Sequence, residues 1–326
     1  MPNECRQSQE VARPPRRLAI AQTVCRPLPP LLGQRLCEVI YPWSVASRHS
    51  FDFIVRCQTG SVFEGNTGDF PCWPFGVQGY NTFRNWGIAL AIVRNGDTII
   101  EVGANTGTET MGFSDIVSAT GRVFAFEPVP CNLDRLENNL RLNNTRNVLI
   151  LPFALGDRRG VASFGLPAKR NSGVGHLDGN AEADNTIQVK IETLDDMADQ
   201  IGESKLIVMD AEGAEILVLR GGRKYIQKYM PVVVVEAHRR LLDRMGFSLE
   251  ALYREIVELD YEVFQIATFG LRRIRPRVPL ERYQGDWVGV PSGRVQTVKK
   301  IRSSLRKCLF LPCIAGLNPM TAGARR

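Results

Sequence analysis

The sequence has no apolar run of the roughly 20 residues that a membrane-spanning helix needs. Its longest candidate near the end, Cys308 to Leu317, is ten residues long and holds Pro312. No hydrophobic core precedes the charges of the opening MPNECRQSQEVARPPRR, so no export signal is read there and a soluble, cytoplasmic chain is expected. Histidine is scarce: His49, His176 and His238 show no metal-ligand spacing, and no metal is expected. Eight cysteines are scattered from Cys5 to Cys313 without a C-x-x-C pair. That pattern favours reduced structural thiols over a disulfide framework. Acid is absent from residues 291–326, which hold eight Lys and Arg. The net charge of +7 therefore belongs to that stretch, and the remaining chain is near neutral.

What is present is an ordinary globular composition over 326 residues, 44% hydrophobic and 23% charged, enough for a sizeable core. Residues 1–50, rich in Pro and Arg, read as loose structure with at most one short helix. Residues 51–94 read as small strands and turns, a β-rich cap broken by Gly and Pro. From Asn95 the texture changes. Seven strand candidates follow: 97–103, 122–127, 147–154, 205–210, 231–238, 261–267 and 286–291. Helical periodicity lies between several of them, as in Leu133, Leu136 and Leu140. Nearly all-apolar strands alternating with helices indicate an α/β domain over 95–291, a doubly wound, seven-stranded, mostly parallel sheet. An insertion between the third and fourth strands reads as a hairpin, about 158–165 against 186–191. Its polar linker, 169–185, is a candidate loop at a site. Residues 292–326 read as a basic tail, most simply a solvated disordered end.

The informative segment is DTIIEVGANTG, 97–107. A strand ends at Glu101, and a turn with Gly103, Asn105 and Gly107 leads into a helix near Thr108. In doubly wound sheets ligands bind outside the carboxyl ends of the strands. A dinucleotide fingerprint aligned on Gly103 would need glycines at Asn105 and Thr108, and Walker A would need G-K-[ST]; neither is present. The turn suits an adenosyl group with a methionine tail, which has no phosphate to cradle. RVFAFE ends in Glu127, where a ribose diol would be held, and Pro128 sharpens the turn after it. PFALGD brings the backbone at Ala154 to where it could flank an adenine. Asp210 ends the fourth strand beside the switch point of the sheet. Glu236 and His238 lie on one side of the fifth strand at the same edge. Glu212 and Glu215 fall in a helix's first turn, where the dipole favours acid.

These segments, DTIIEVGANTG, FAFEPVPCNLDRLENNLRLN, PFALGDRRG, ETLDDM and LIVMDAEGAEILVLRGG, together resemble an FkbM-type methyltransferase, over roughly Asn81 to His238. The resemblance implies a Rossmann-like class I fold, S-adenosylmethionine as cofactor and methyl transfer to a hydroxyl oxygen of a saccharide or secondary metabolite. It matches Glu101, Gly103, Asn105 and Gly107 to the cofactor loop, Glu127 to the ribose acid, and Asp210 and Glu212 to the segment after strand four. Asp210 or His238 is the candidate base. A lining of Glu101, Glu127, Asp210 and Glu236 suits a cationic sulfonium.

Two other classes remain open. An NAD-dependent oxidoreductase is disfavoured by the missing glycines. A nucleic-acid-binding protein, or an RNA methyltransferase, is suggested by the basic end, but no RNA-binding signature accompanies it. A third use of that end is weak contact with an anionic membrane, through Val298, Ile301, Leu305 and Leu309 at helical spacing. The methyl acceptor and the oligomeric state are not legible.

Overall fold

The structure, a computed structural model, describes residues 13–165, 176–177, 186–275 and 278–321. Strands β1 (Asp52–Arg56) and β2 (Val62–Asn66) form an antiparallel hairpin. The main sheet begins with β3 (Thr98–Val102), β4 (Arg122–Phe126) and β5 (Val148–Leu151). A separate four-stranded sheet follows: β6 (Ala154–Leu155), β7 (Gly160–Gly165), β8 (His176–Leu177) and β9 (Thr186–Glu192). The chain then returns through β10 (Leu206–Met209), β11 (Val232–Ala237), β12 (Tyr261–Ala267), β13 (Gly270–Arg273) and β14 (Gly285–Pro291). The large sheet has the order β13-β12-β14-β11-β10-β3-β4-β5.

All seven expected strands are present, with an eighth, β13, added by a hairpin onto β12. Its GLRR carries no apolar alternation, so nothing in the pattern marked it. The block from β11 to β5 is parallel, and β14 runs antiparallel between β11 and β12. The direction of winding reverses at β3, which has β4 on one side and β10 on the other. Ile99 and Ile100 point to opposite faces and both are fully buried, so both faces are covered. The inserted hairpin pairs β7 with β9 in the expected register region. Most of the 169–185 segment lies outside the described residues, with only the backbone of 176–177 placed.

Three expectations are corrected. Residues 13–50 are not loose. They form helices Arg16–Cys25, Pro30–Ile40 and Trp43–Ala46, and residues 1–12 lie outside the described set. The prolines that suggested looseness sit at helix starts: Pro15, Pro29 and Pro42 are N-cap residues and Pro30 opens its helix. There the missing N–H costs no internal hydrogen bond. Leu18, Ala21, Cys25, Cys37 and Tyr41 bury themselves against Trp73 and Val77. The 51–94 cap is only partly β: helices Cys72–Gln78 and Phe83–Ile92 follow the hairpin.

The basic end is not a disordered tail. Val295–Phe310 is a helix whose Val298, Ile301, Leu305, Cys308 and Leu309 are buried. It lies on helix Phe83–Ile92, with Ser304 Oγ donating to the Gly87 carbonyl at 2.7 Å. The apolar stripe read as a membrane contact is therefore core. Among the described residues no helix is long and apolar enough to cross a membrane. Six of the seven described cysteines are buried and all seven are free.

Candidate functional site

Strand alternation explains how one edge of the sheet gathers its acids. Ile99, Val123, Ala125, Val208 and Val234 belong to one of the two buried layers. Glu101, Glu127, Asp210 and Glu236 follow them at spacings of two, so all four fall in phase on that face at the carboxyl edge. Asp286 joins them because β14 is antiparallel: its beginning lies where the parallel strands end, and Asp286 stands directly opposite Glu236. The result is a cavity of about 260 Å³ over the carboxyl ends of β3, β4, β10 and β11.

The glycine turn is locked to its neighbours. Gly103 has φ +84°, and a Cβ there would lie 2.0 Å from the Asp210 carbonyl oxygen, so only glycine lets β3 and β10 end side by side. Asn105 takes the left-handed conformation at φ +52°. Its N–H donates to Glu127 Oε2 at 2.8 Å. The other Glu127 oxygen accepts from the Val129 N–H at 2.9 Å and from Asn132 Nδ2 at 3.3 Å. Burial pushes the Glu127 carboxyl up, and these three donors pull the other way. Gly107 does not line the cavity. Its φ is +91° and a Cβ would meet Leu136 Cδ1 at 2.7 Å, so it closes the turn against the helix Pro130–Leu142.

Glu101, Gly103, Asn105, Glu127, Pro128, Ala154 and Asp210 all line the cavity. Phe153, beside Ala154, packs edge-on against Phe126. Glu101 is 4% exposed, and its Oε2 has no partner among the described residues. Desolvation first, then the neighbouring Glu109, drives its carboxyl well above the usual range. His238 does not line the cavity. Its side chain is 48% exposed and its Nε2 lies 3.6 Å from Glu236 Oε1.

Several lining residues escaped the sequence reading. Asn85, from the helix Phe83–Ile92, donates to both oxygens of Glu109, at 3.0 and 2.9 Å, and its own Oδ1 has no partner among the described residues. Trp86 Nε1 holds the Glu109 carbonyl at 3.0 Å. Asn81 and Thr82 complete this wall. Nothing in a helix of mixed polarity marks these positions. Asp286 was legible in principle, as the residue opening an antiparallel strand.

Glu212 is not in the first turn of a helix. The helix starts at Glu215, and Glu212 precedes it in a left-handed conformation at φ +51°. Glu215 holds that loop, its Oε1 accepting from the N–H groups of Ala211 at 2.9 Å and Gly213 at 3.3 Å. The crowding of carboxyls has a clear electrostatic consequence. Asp210 is exposed to the cavity, and desolvation followed by Glu236 raises its carboxyl well above normal. Desolvation and the same neighbourhood bring Glu236 and Glu212 to about 8, and desolvation brings Glu109 to about 7. Oxygens of Asp210, Glu212 and Glu236 lie within 4.8 Å of one another, close enough to share one cation. The site thus offers one remaining accepting position on Glu127 Oε2, a buried acceptor at Glu101 without a partner among the described residues, and a carboxylate wall that a positive charge would stabilise.

The model of the methyltransferase FkbM domain matches residues 101–263 of this chain, half its length. The chain is 30% identical over 145 residues to the hexuronic acid methyltransferase AglP of Haloferax volcanii, covering 44% of this chain and 56% of that protein. It thus spans little more than half of that relative. The crystal structure of methyltransferase FkbM from Methylobacillus flagellatus KT aligns over 84% of this chain and 59% of that one, at 17% identity and TM-score 0.41. Fibrillarin from Aeropyrum pernix, solved with S-adenosyl-L-methionine, aligns over 63% of this chain and 73% of its own, at 13% identity and TM-score 0.35. On the family match, this chain belongs to the FkbM methyltransferase domain family.

Proposed function

We propose that the chain is an S-adenosylmethionine-dependent methyltransferase acting on a hydroxyl oxygen of a saccharide. The observation that carries this is the tie between Glu127 and the glycine turn. The carboxylate at the tip of β4 is fixed by three donors, the Asn105 N–H among them, and keeps one of its roughly four accepting sites, on Oε2, for a ribose hydroxyl. The unpaired Glu101 oxygen fits an ammonium group, and Phe153 with Ala154 fits the edge of an adenine. When bound, the cofactor supplies an electrophilic methyl on a sulfonium whose thioether leaves uncharged.

The residues then have two tasks. Positioning supplies the larger share, up to ~7–11 kcal/mol for well-aligned reactants. Asn81, Thr82 and Asn85 on one wall and the carboxylates on the other orient an acceptor rich in hydroxyl donors. The second task is removal of the hydroxyl proton. Asp210 takes it, and Glu236, whose carboxyl lies within 4.8 Å of that of Asp210 and next to the half-exposed His238, passes it outward. His238 is a positioning and relay residue here. That AglP acts on a hexuronic acid supports a sugar as acceptor.

Incubation with isotopically labelled S-adenosylmethionine and a panel of neutral, amino and uronic saccharides, read by mass spectrometry, tests the reading. A labelled methyl ether on a sugar hydroxyl is the expected product. Label on none of the panel, with label transferred to RNA, would replace the saccharide with a nucleic-acid acceptor.

A further inference from the structure

The helix Val295–Phe310 has a second face that its packing leaves free. Its buried residues, Val298, Ile301, Leu305, Cys308 and Leu309, occupy one side. At 100° per residue, Val295, Lys299, Arg302, Arg306 and Phe310 form a neighbouring row turned about 110° from that side, one above the other at spacings of three and four. All five are exposed, and Lys300 and Lys307 flank them. Among the described residues none of Lys299, Lys300, Arg306 and Lys307 has an ion-pair partner within 4.0 Å, whereas Arg302 lies over the Phe264 ring.

The apolar end of this face is built from three parts of the chain. Phe310 stacks on Phe269, from the β12–β13 turn, with centroids 6.2 Å apart and planes 7° from parallel. Both rings stay open to solvent, at 48% and 59% exposed. Leu311, Ile314 and Leu317 continue the exposed apolar surface beyond the helix. A stacked aromatic pair held outside the core, beside a row of cations, meets the two demands of an interfacial anchor: apolar area to enter the acyl boundary and charge to meet anionic headgroups. A nucleic acid would use the cations but leave the aliphatic residues in water.

We propose that this face docks the protein on an anionic bilayer surface, with Phe269 and Phe310 inserted and Lys299, Arg306 and Lys307 at the headgroups. The contact is a folded face assembled from a helix and a strand turn, and the buried stripe of the same helix takes no part in it. The proposal is independent of the methyl-transfer reading.

Flotation of the full chain with vesicles tests it, using phosphatidylcholine alone and phosphatidylcholine mixed with phosphatidylglycerol, at low and high salt. Far-ultraviolet circular dichroism checks that each variant is folded. The wild type is expected to float with the mixed vesicles only, and to be released by salt. Lys299→Gln, Arg306→Gln and Lys307→Gln are each expected to weaken partitioning by roughly fivefold. Phe269→Ser with Phe310→Ser should weaken it by at least tenfold with the charge row intact. Equal flotation with neutral vesicles, no flotation at all, or an unchanged partition coefficient in the phenylalanine variant would each overturn the proposal. So would salt-sensitive RNA binding lost in the glutamine variants without any flotation.

Discussion

Asp210 is the residue on which chemistry and stability pull in opposite directions. Its carboxylate sits among Glu236, Glu215, Glu109 and Asp286, and desolvation and these charges hold its proton on. The sign of the pH effect follows. A carboxyl whose folded-state pKa lies above the unfolded one binds more protons in the folded state over the interval between the two, so stability falls as pH rises through it. For Glu212 and Glu236 that interval runs from about 4.5 to about 8. Without ligand, the melting temperature should fall between pH 5 and 8, and Asp210→Asn should raise it by ~2 °C or more at pH 8. The same substitution should lower kcat by roughly 10²–10⁴-fold if Asp210 is the base. His238→Ala should lower kcat about three- to tenfold with little change in cofactor affinity. A loss below threefold at every pH would remove the relay. The four strand-end acids were readable from alternation alone, because period two leaves no choice of face. Asn85 and Glu109 were not, since their place depends on how one helix lies across another.

At the scale of elements, the glycine turn and the helix Val295–Phe310 show what a sequence pattern does and does not carry. The turn was legible because Gly103 and Gly107 both take positive φ, a local backbone need that glycine meets, although the neighbours they admit are distant in the chain. The helix was misjudged although its stripe was visible: a stripe states that a face must be covered, and lipid and protein satisfy it equally. The missing information was the partner, helix Phe83–Ile92, where Gly87 admits Leu305 and Cys308 closely. Leu305→Ala leaves a cavity between the two helices, and a loss of ~2–5 kcal/mol in denaturant unfolding is expected. A change below ~0.5 kcal/mol would return the segment to the status of a tail. The N-terminal helices teach a related lesson. Proline in the sequence marked boundaries, and the looseness inferred from it was a misreading of three helix starts.

For the molecule as a whole, the distribution of charge separates two surfaces. Five Lys and Arg stand together on the helix Val295–Phe310, and seven acids line the cavity at the carboxyl edge of the sheet. A cavity lined this way stabilises a cation and repels a pyrophosphate, which is the physical core of the assignment. A sulfonium entering it draws the raised carboxyls toward their ionised forms and releases protons. Binding of S-adenosylmethionine should therefore tighten from pH 6 to 8, more than binding of the uncharged-sulfur product S-adenosylhomocysteine. The most direct test is isothermal titration of the wild type and Glu127→Ala with S-adenosylmethionine and with NADH at pH 7.5. The expected result is one molecule of S-adenosylmethionine per chain, no measurable NADH binding, and a loss of roughly 10–100-fold in Glu127→Ala, the worth of hydrogen bonds to a charged group. Absence of S-adenosylmethionine binding, or an affinity unchanged in Glu127→Ala, would contradict it.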